Sequence, residues 1–271
     1  MSMQIIRIIM TTRTRRALRP LLLPLALLGL WAAASAAGWT NAYLLPSPAA
    51  VARAAADLLT RGELAGHVAA SLARVGLGFG LTVAVALPLA ILCALLPRLH
   101  DYLRLVLEVM RVTPPLALVP LLILWLGIGE TSKLAVVVLA SFFPVFMNTF
   151  GGLRDADGRL LELAHTLDLT PGERTLHVLL PAALPAIITG LRLGFGYSWR
   201  ALVGAELIAA SAGLGYLIID SGEMARTDRV FVGIVAIATL GAASDWLFRR
   251  LSDRLAPWRR GEPGAAAQMG G

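Results

Sequence analysis

Cysteine and lysine are almost missing from this 271-residue chain: each occurs once, as Cys93 and Lys133. A single cysteine, set in an apolar run, excludes an internal disulfide and a cysteine-built zinc site. With lysine nearly gone, arginine carries the positive charge, and the arginines gather beside apolar segments instead of forming one basic stripe. The net charge of +7 therefore reads as a device of membrane orientation, and nucleic acid is not expected as a partner. No G-x-x-x-x-G-K-[ST] stretch is present, so the chain does not hold ATP in that way, and H-E-x-x-H is missing as well. The four histidines, His67, His100, His165 and His177, all fall in polar stretches. An intramembrane protease would need one at depth. The chain does not read as an enzyme, and no cofactor or metal site is expected within it.

What is abundant is apolar sequence. Hydrophobic residues make up 57% of the chain, more than a soluble protein of this size can cover, so several membrane spans are expected. The pattern predicts six, at about 21–37, 75–96, 103–126, 134–150, 184–210 and 230–248, within a transmembrane domain over 21–255. Residues 1–20 form a basic amino terminus with Arg7, Arg13, Arg15, Arg16 and Arg19. Its charge pattern and the "AASAA" that follows resemble a signal peptide, but Pro20 and Pro24 open the segment and favour an uncleaved span. Pro46-Ser47-Pro48 starts an alanine-rich helix towards Leu72, too polar to span because of Asp57, Arg61, Glu63 and His67. The third span contains Thr113-Pro114-Pro115 and Pro120, which free backbone carbonyls that other protein or a water-lined cavity must satisfy. Residues 256–271 are small, polar and glycine-rich, and are expected to be disordered.

Arginine decides the orientation. With the amino terminus inside, the inner segments hold the five amino-terminal arginines, Arg98, Arg104, Arg154, Arg159, Arg174 and the group from Arg249 to Arg260. The outer segments hold Arg53, Arg61, Lys133, Arg226 and Arg229. The excess is on the inside. Both termini and the polar stretch 153–183 are then cytoplasmic.

That stretch is no loose loop. Leu160, Leu163, Ala164 and Leu167 recur at helical spacing, and so do Leu176, Leu179, Leu180 and Ala183. Between them Thr170-Pro171-Gly172-Glu173 supplies an N-cap, a proline at the first helical position and a glutamate at N3, the signature of a capping box. A helix, a tight turn and a second helix are expected, shaped to dock on a soluble partner.

The same stretch resembles the "EAA…G…I-x-LP" loop of ABC-importer permeases, with the motif falling on Glu162, Leu163, Ala164, Asp168, Val178, Leu180 and Pro181. Flanking segments resemble the nitrate/sulfonate/taurine subgroup: "LPSPAAV" at Leu45, "PPLALVPLLILWLGIGE" from Pro114, "FFPVFMNTFGGLR" from Phe142 and "LRLGFGYSWRALVGAELIAASAGLGYLI" from Leu191. The likeness runs from about Leu45 to about Leu255. Two positions depart from it: the motif's second residue, an alanine, is Leu163 here, and its glycine is Asp168. That glycine closes the first helix in a left-handed turn, and aspartate is among the few other residues that visit this region.

The resemblance implies an all-α membrane protein with six transmembrane helices, the type I ABC-importer permease fold and a cytoplasmic coupling helix, in a bacterial inner membrane. It implies a loop that meets an ATPase through Glu162, Leu163, Ala164, Asp168, Thr170, Pro171, Gly172, Val178, Leu180 and Pro181. The implied partners are a second permease copy, two cytoplasmic ATPases that carry the ATP and magnesium, a periplasmic binding protein and the lipid bilayer. Gly76, Gly78 and Gly80 allow close helix packing.

Charges inside the fifth span are costly and usually face a path or a partner. Arg200, with Glu206, Trp199 and Ser198 around it, is the candidate translocation path and suits an anion such as a sulfonate, taurine or nitrate. The competing reading is a structural ion pair of Arg200 with Glu206 of another copy or with Asp245, because within one helix Arg200 and Glu206 are roughly 120° apart. Pyrimidine or vitamin-precursor cargo remains open. So does an ATP-independent secondary transporter, which predicts internal repeats and broken midplane helices.

Overall fold

A computed structural model describes residues 22–156 and 158–255 of the chain; among these the regular structure is entirely helical. Helix α1 is Leu22–Ala36, and α2 is Pro48–Thr60, opened by the Ser47 side chain, which accepts from the Ala50 amide, with Pro48 at N1. Gly62, at φ +74°, ends that run, and α3 follows as one helix from Glu63 to Leu95. The alanine-rich surface helix expected to reach Leu72 therefore stops at Thr60. The residues from Glu63 onward belong to the long helix that was expected to start at Val75. Glycine at Gly62 accounts for the break, because it enters the left-handed region without a Cβ clash.

The third expected span is not one helix. Helix α4, Pro97–Val112, and α5, Val119–Leu126, are separated by Thr113-Pro114 and a short 3₁₀ turn over Pro115–Leu118, and the two arms are bent by 90°. Consecutive prolines exclude the α conformation just before them and remove two donors. Helix α6 is Glu130–Arg154, and α7 is Gly158–Thr166. The short α8, Pro171–Arg174, a π turn over Thr175–Leu179 and α9, Leu180–Ala209, run on without a gap. The loop's second helix is thus continuous with the fifth apolar segment and not a separate piece. Helices α10, Leu214–Glu223, and α11, Thr227–Leu255, complete the chain. Among the described residues four helices are long and apolar enough to cross a membrane, and the bent α4–α5 pair makes five. Of the most apolar window of α11 only 11% is buried, which a bilayer explains and water does not. The amino terminus 1–20 and the tail 256–271 lie outside the described residues.

The chain divides into two compact units. One combines the described residues up to Ala65 with Leu217–Ile234. In it the Trp31 and Phe231 rings lie 5.5 Å apart, the Thr227 hydroxyl donates to the Tyr43 carbonyl at 2.6 Å, and Arg229 reaches Asp57 at 3.2 Å. The leucines of α1 are exposed on every side. Its helix rises roughly 22 Å.

The other unit holds 66–216 and the chain from Val235. Its centre is the pairing of α6 with α9, which approach so closely that a Cβ on Gly190 would meet Asn148 and the Pro144 carbonyl, and one on Gly194 would meet Val145 and the Ser141 carbonyl. Glycines four apart let two backbones touch, as small residues do between membrane helices. Of the glycines expected to serve this purpose, Gly78 packs on Val137, while Gly76 and Gly80 face open space. Val145, Phe146 and Phe150 of α6 then meet Ala86, Ala90 and Cys93 of α3, and Leu153 meets Leu179, Ala183 and Ile187.

Candidate functional site

Helix α7 ends in a Schellman motif. The Leu169 amide donates to the Ala164 carbonyl at 3.1 Å and the Asp168 amide to the His165 carbonyl at 3.1 Å, with Asp168 at φ +49°. The position that resembles the family glycine thus holds the left-handed turn with an aspartate. One residue on, Thr170 caps α8: its hydroxyl accepts from the Glu173 amide at 3.3 Å, and the Glu173 carboxylate accepts from the Thr170 amide at 2.9 Å. This is the capping box in the residues that spell it. Pro171 stands at N1, and Gly172 is exposed behind it.

The apolar face of α7 is only anchored at one point. Ala164 is buried, whereas Leu163 is 56% and Leu167 62% exposed. Together with Val178 and Pro181 they line a groove of about 480 Å³. Leu180 is half-buried against the Leu153, Leu179, Ala183 and Ile187 cluster, and Glu162 projects into solvent, where its side chain makes no hydrogen bond or ion pair among the described residues. The loop therefore presents an open apolar surface beside the capped turn. From Pro171 to Arg200 the connection is unbroken helix, roughly 43 Å long.

At the far end of that rod lies a cavity of about 510 Å³. Helix α6 lends it Ala140, Phe143, Pro144, Met147 and Asn148, a run at i, i+3, i+4, i+7 and i+8, and α9 lends Leu193, Tyr197, Arg200 and Ala201 with the same period. The α4–α5 break closes the side with Arg111, Thr113, Pro115 and Leu116. Arg200 lies 5.3 Å from the Tyr197 ring centre and has no carboxylate partner among the described residues; neither has Arg111. Asn148 spends one amide hydrogen on the Pro144 carbonyl at 2.8 Å.

Arg200 is the one member of the expected path group that faces this cavity. Ser198 is buried, its hydroxyl turned onto the Phe195 carbonyl at 2.7 Å, and the Trp199 indole donates to the Ile237 carbonyl at 3.3 Å on another side of α9. Asp245, expected as a partner for Arg200, pairs with Arg192 and with Arg249 instead. Arg192 is not among the cavity-lining residues; it precedes Leu193 by one residue, roughly 100° around α9.

Glu206 is the largest correction. It is 0% exposed and sits in a closed charge cluster, not along a path. Its carboxylate accepts from Arg74 Nη1 at 2.7 Å, from the Ser71 hydroxyl at 2.9 Å and from the Gly215 amide at 3.0 Å. Arg74 also grips Glu130 with two parallel bonds, at 2.6 and 2.8 Å, and Lys133 adds a third at 2.9 Å. Two cations and two carboxylates balance, and the loop before α10 is sewn in: the Leu214 amide donates to Ser71 and the Gly213 amide to His67 Nδ1. A Cβ on Gly213 or Gly215 would fall on Glu206. That accounts for both glycines of "SAGLG".

Residues 86–257 match the family described as the binding-protein-dependent transport system inner membrane component. The chain belongs to that family. It is 38% identical over 91% of its length, and 90% of the relative's, to an aliphatic sulfonates transport permease protein, SsuC, of Bacillus subtilis strain 168. It is 41% identical over 71% of its length, and 70% of the relative's, to the taurine transport system permease protein TauC of Escherichia coli K12. The fold is similar to a chain of the MetNI methionine ABC transporter in inward-facing conformations, with a TM-score of 0.62 at 17% identity, covering 73% of this chain and 96% of the other.

In this permease, sequence reasoning missed Arg74, Ser71 and Glu130 because they flank apolar runs and read as span ends. The signal was there: a cation inside "SLARVGLG" and an anion at "GIGETSK" each need a partner at membrane depth. Arg111 was missed because the segment 103–126 was expected to be one span, whereas it breaks at Thr113-Pro114 and brings Arg111 to the cavity.

Proposed function

We propose that this permease forms the translocation path of an ATP-driven importer for a small sulfonate-like anion, delivered by a binding protein outside the membrane. Six crossings are supported by α1, α3, the bent α4–α5 pair, α6, α9 and α11, and the arginine excess favours both termini and the α7–α8 loop in the cytoplasm. Two copies of the chain pair with two ATPases, which hold ATP and magnesium. Each ATPase covers the apolar groove of Leu163, Leu167 and Val178, beside Glu162. Closure of the ATPases moves α8 as a rigid lever on α9 and shifts the population towards an outward-open state. The anion enters past Arg200, and hydrolysis resets the path.

The observation that carries this reading is Arg200: a charge without a counter-charge, on the cavity wall, at the end of the rod that begins in the loop. The cargo named for the chain's relatives, aliphatic sulfonates and taurine, fits that charge. The test is calorimetry on the binding protein that co-purifies with the permease, against ethanesulfonate, taurine, nitrate and an aminopyrimidine. Tight binding of a sulfonate, followed by its ATP-dependent uptake into liposomes, supports the proposal. Binding of the aminopyrimidine alone would leave an importer and remove the anion.

A further inference from the structure

The cavity has a second feature. Its wall carries two guanidiniums, Arg111 and Arg200, and no carboxylate. Elsewhere in the same unit the described arginines that come near a carboxylate take it: Arg74 holds Glu130 and Glu206, Arg104 holds Glu108, and Arg192 holds Asp245. Arg111 closes the last turn of α4, where a cation also answers the carbonyl ends of the helix, but that leaves most of its five donors unused. The Tyr197 hydroxyl and the second Asn148 amide hydrogen add neutral donors. Around them Leu116, Phe143, Met147 and Leu193 make the rest of the wall apolar.

We propose that Arg111 and Arg200 together grip the sulfonate head group in transit, and that the carboxylate-free, apolar remainder of the wall selects an unsubstituted alkyl chain over one ending in an ammonium. This rests on the anion-importer reading above. Three sulfonate oxygens satisfy two planar forks, each able to bind in a bidentate manner. An alkyl tail then lies on Phe143, Met147 and Leu193. A taurine ammonium in the same place meets only neutral acceptors, and an ammonium so desolvated is poorly compensated. The permease thus adds a second discrimination to that of the binding protein, set by which charge its wall leaves unpaired.

The test uses the full complex in liposomes, with binding protein saturated by ethanesulfonate or by taurine, which differ by the ammonium. Wild type is expected to take up ethanesulfonate several-fold faster than taurine. Arg111→Gln and Arg200→Gln should each lower ethanesulfonate uptake about tenfold, while binding-protein-stimulated ATP hydrolysis continues and Arg111→Lys recovers part of the loss. Asn148→Asp, which puts a carboxylate on the wall, should narrow or invert the preference. If wild type transports neither sulfonate, the anion reading on which this inference rests fails. Sulfonate uptake by Arg111→Gln at the wild-type rate, or an unchanged preference in Asn148→Asp, would overturn only the present inference. So would an Arg111 effect seen with anionic phosphatidylglycerol but absent in pure phosphatidylcholine, since the two arginines would then be holding a lipid phosphate.

Discussion

Two groups of arginines share one helical unit and live in opposite circumstances. Arg74 lies among α3, α6 and α9 with every charge around it answered, down to a serine hydroxyl and three loop amides. Arg111 and Arg200 lie on a cavity wall without a carboxylate, and neither forms an ion pair among the described residues. Arg74 is buried, where an unanswered charge is expensive, whereas Arg111 and Arg200 keep exposed surface. A cation that its own chain neutralises holds the architecture together. On the reading proposed above, Arg200, whose companion is the Tyr197 ring, a contact of about 0.5–1 kcal/mol where exposed, is kept for the cargo. The difference separates scaffold from path more sharply than depth in the membrane does, because Glu206 and Arg200 stand on the same helix less than two turns apart.

The comparison can be broken at its strongest point first. Arg74→Ala leaves Glu206 buried without a counter-charge, and the expected loss is about 3–5 kcal/mol, read as a large drop in the thermal transition of the solubilised permease. If the variant melts with wild type, the cluster is not structural. Gly215→Ala places a Cβ 2.6 Å from the Glu206 Cβ and 2.7 Å from the Val203 carbonyl. About 1–3 kcal/mol of overpacking should follow, and a silent substitution would show that the loop moves freely. Arg200→Gln inverts the pattern: its thermal transition stays near wild type, while ATP-driven sulfonate uptake falls about tenfold. Normal uptake by an intact complex would end the path role of Arg200.

The smallest effect lies outside both groups. Asp168→Gly removes the Cβ from a left-handed position and should raise the stability of the loop by under about 1 kcal/mol, with uptake unchanged. Lost stability would mean that the aspartate side chain, not the turn, is what matters there.

How much of this was legible depends on the range of the interactions. The loop was readable almost to the atom: Thr170, Pro171 and Glu173 spell a cap within four residues, and Asp168 sits where the helix period ends. The prolines at 114 and 115 announced a break, though not its angle, because proline fixes what cannot continue and leaves the direction to the neighbours. Arg200 was visible as a charge in an apolar run. Its surroundings were not. Helical periodicity places Glu206 on a different face of α9 from Arg200, but nothing in the chain's order says that α3 brings Arg74 to meet it.

By itself, then, the sequence determined the helical membrane class, the family resemblance and the local chemistry of the loop, all of which rest on contacts a few residues apart or on composition. Only the tertiary structure decided which charges cancel. Glu206 and Arg74 are 132 positions apart, and Arg111 joins Arg200 across a cavity that three separate segments must enclose. Coulomb and hydrogen-bond energies depend on distance in space and on what excludes water, and for such pairs position along the chain carries neither.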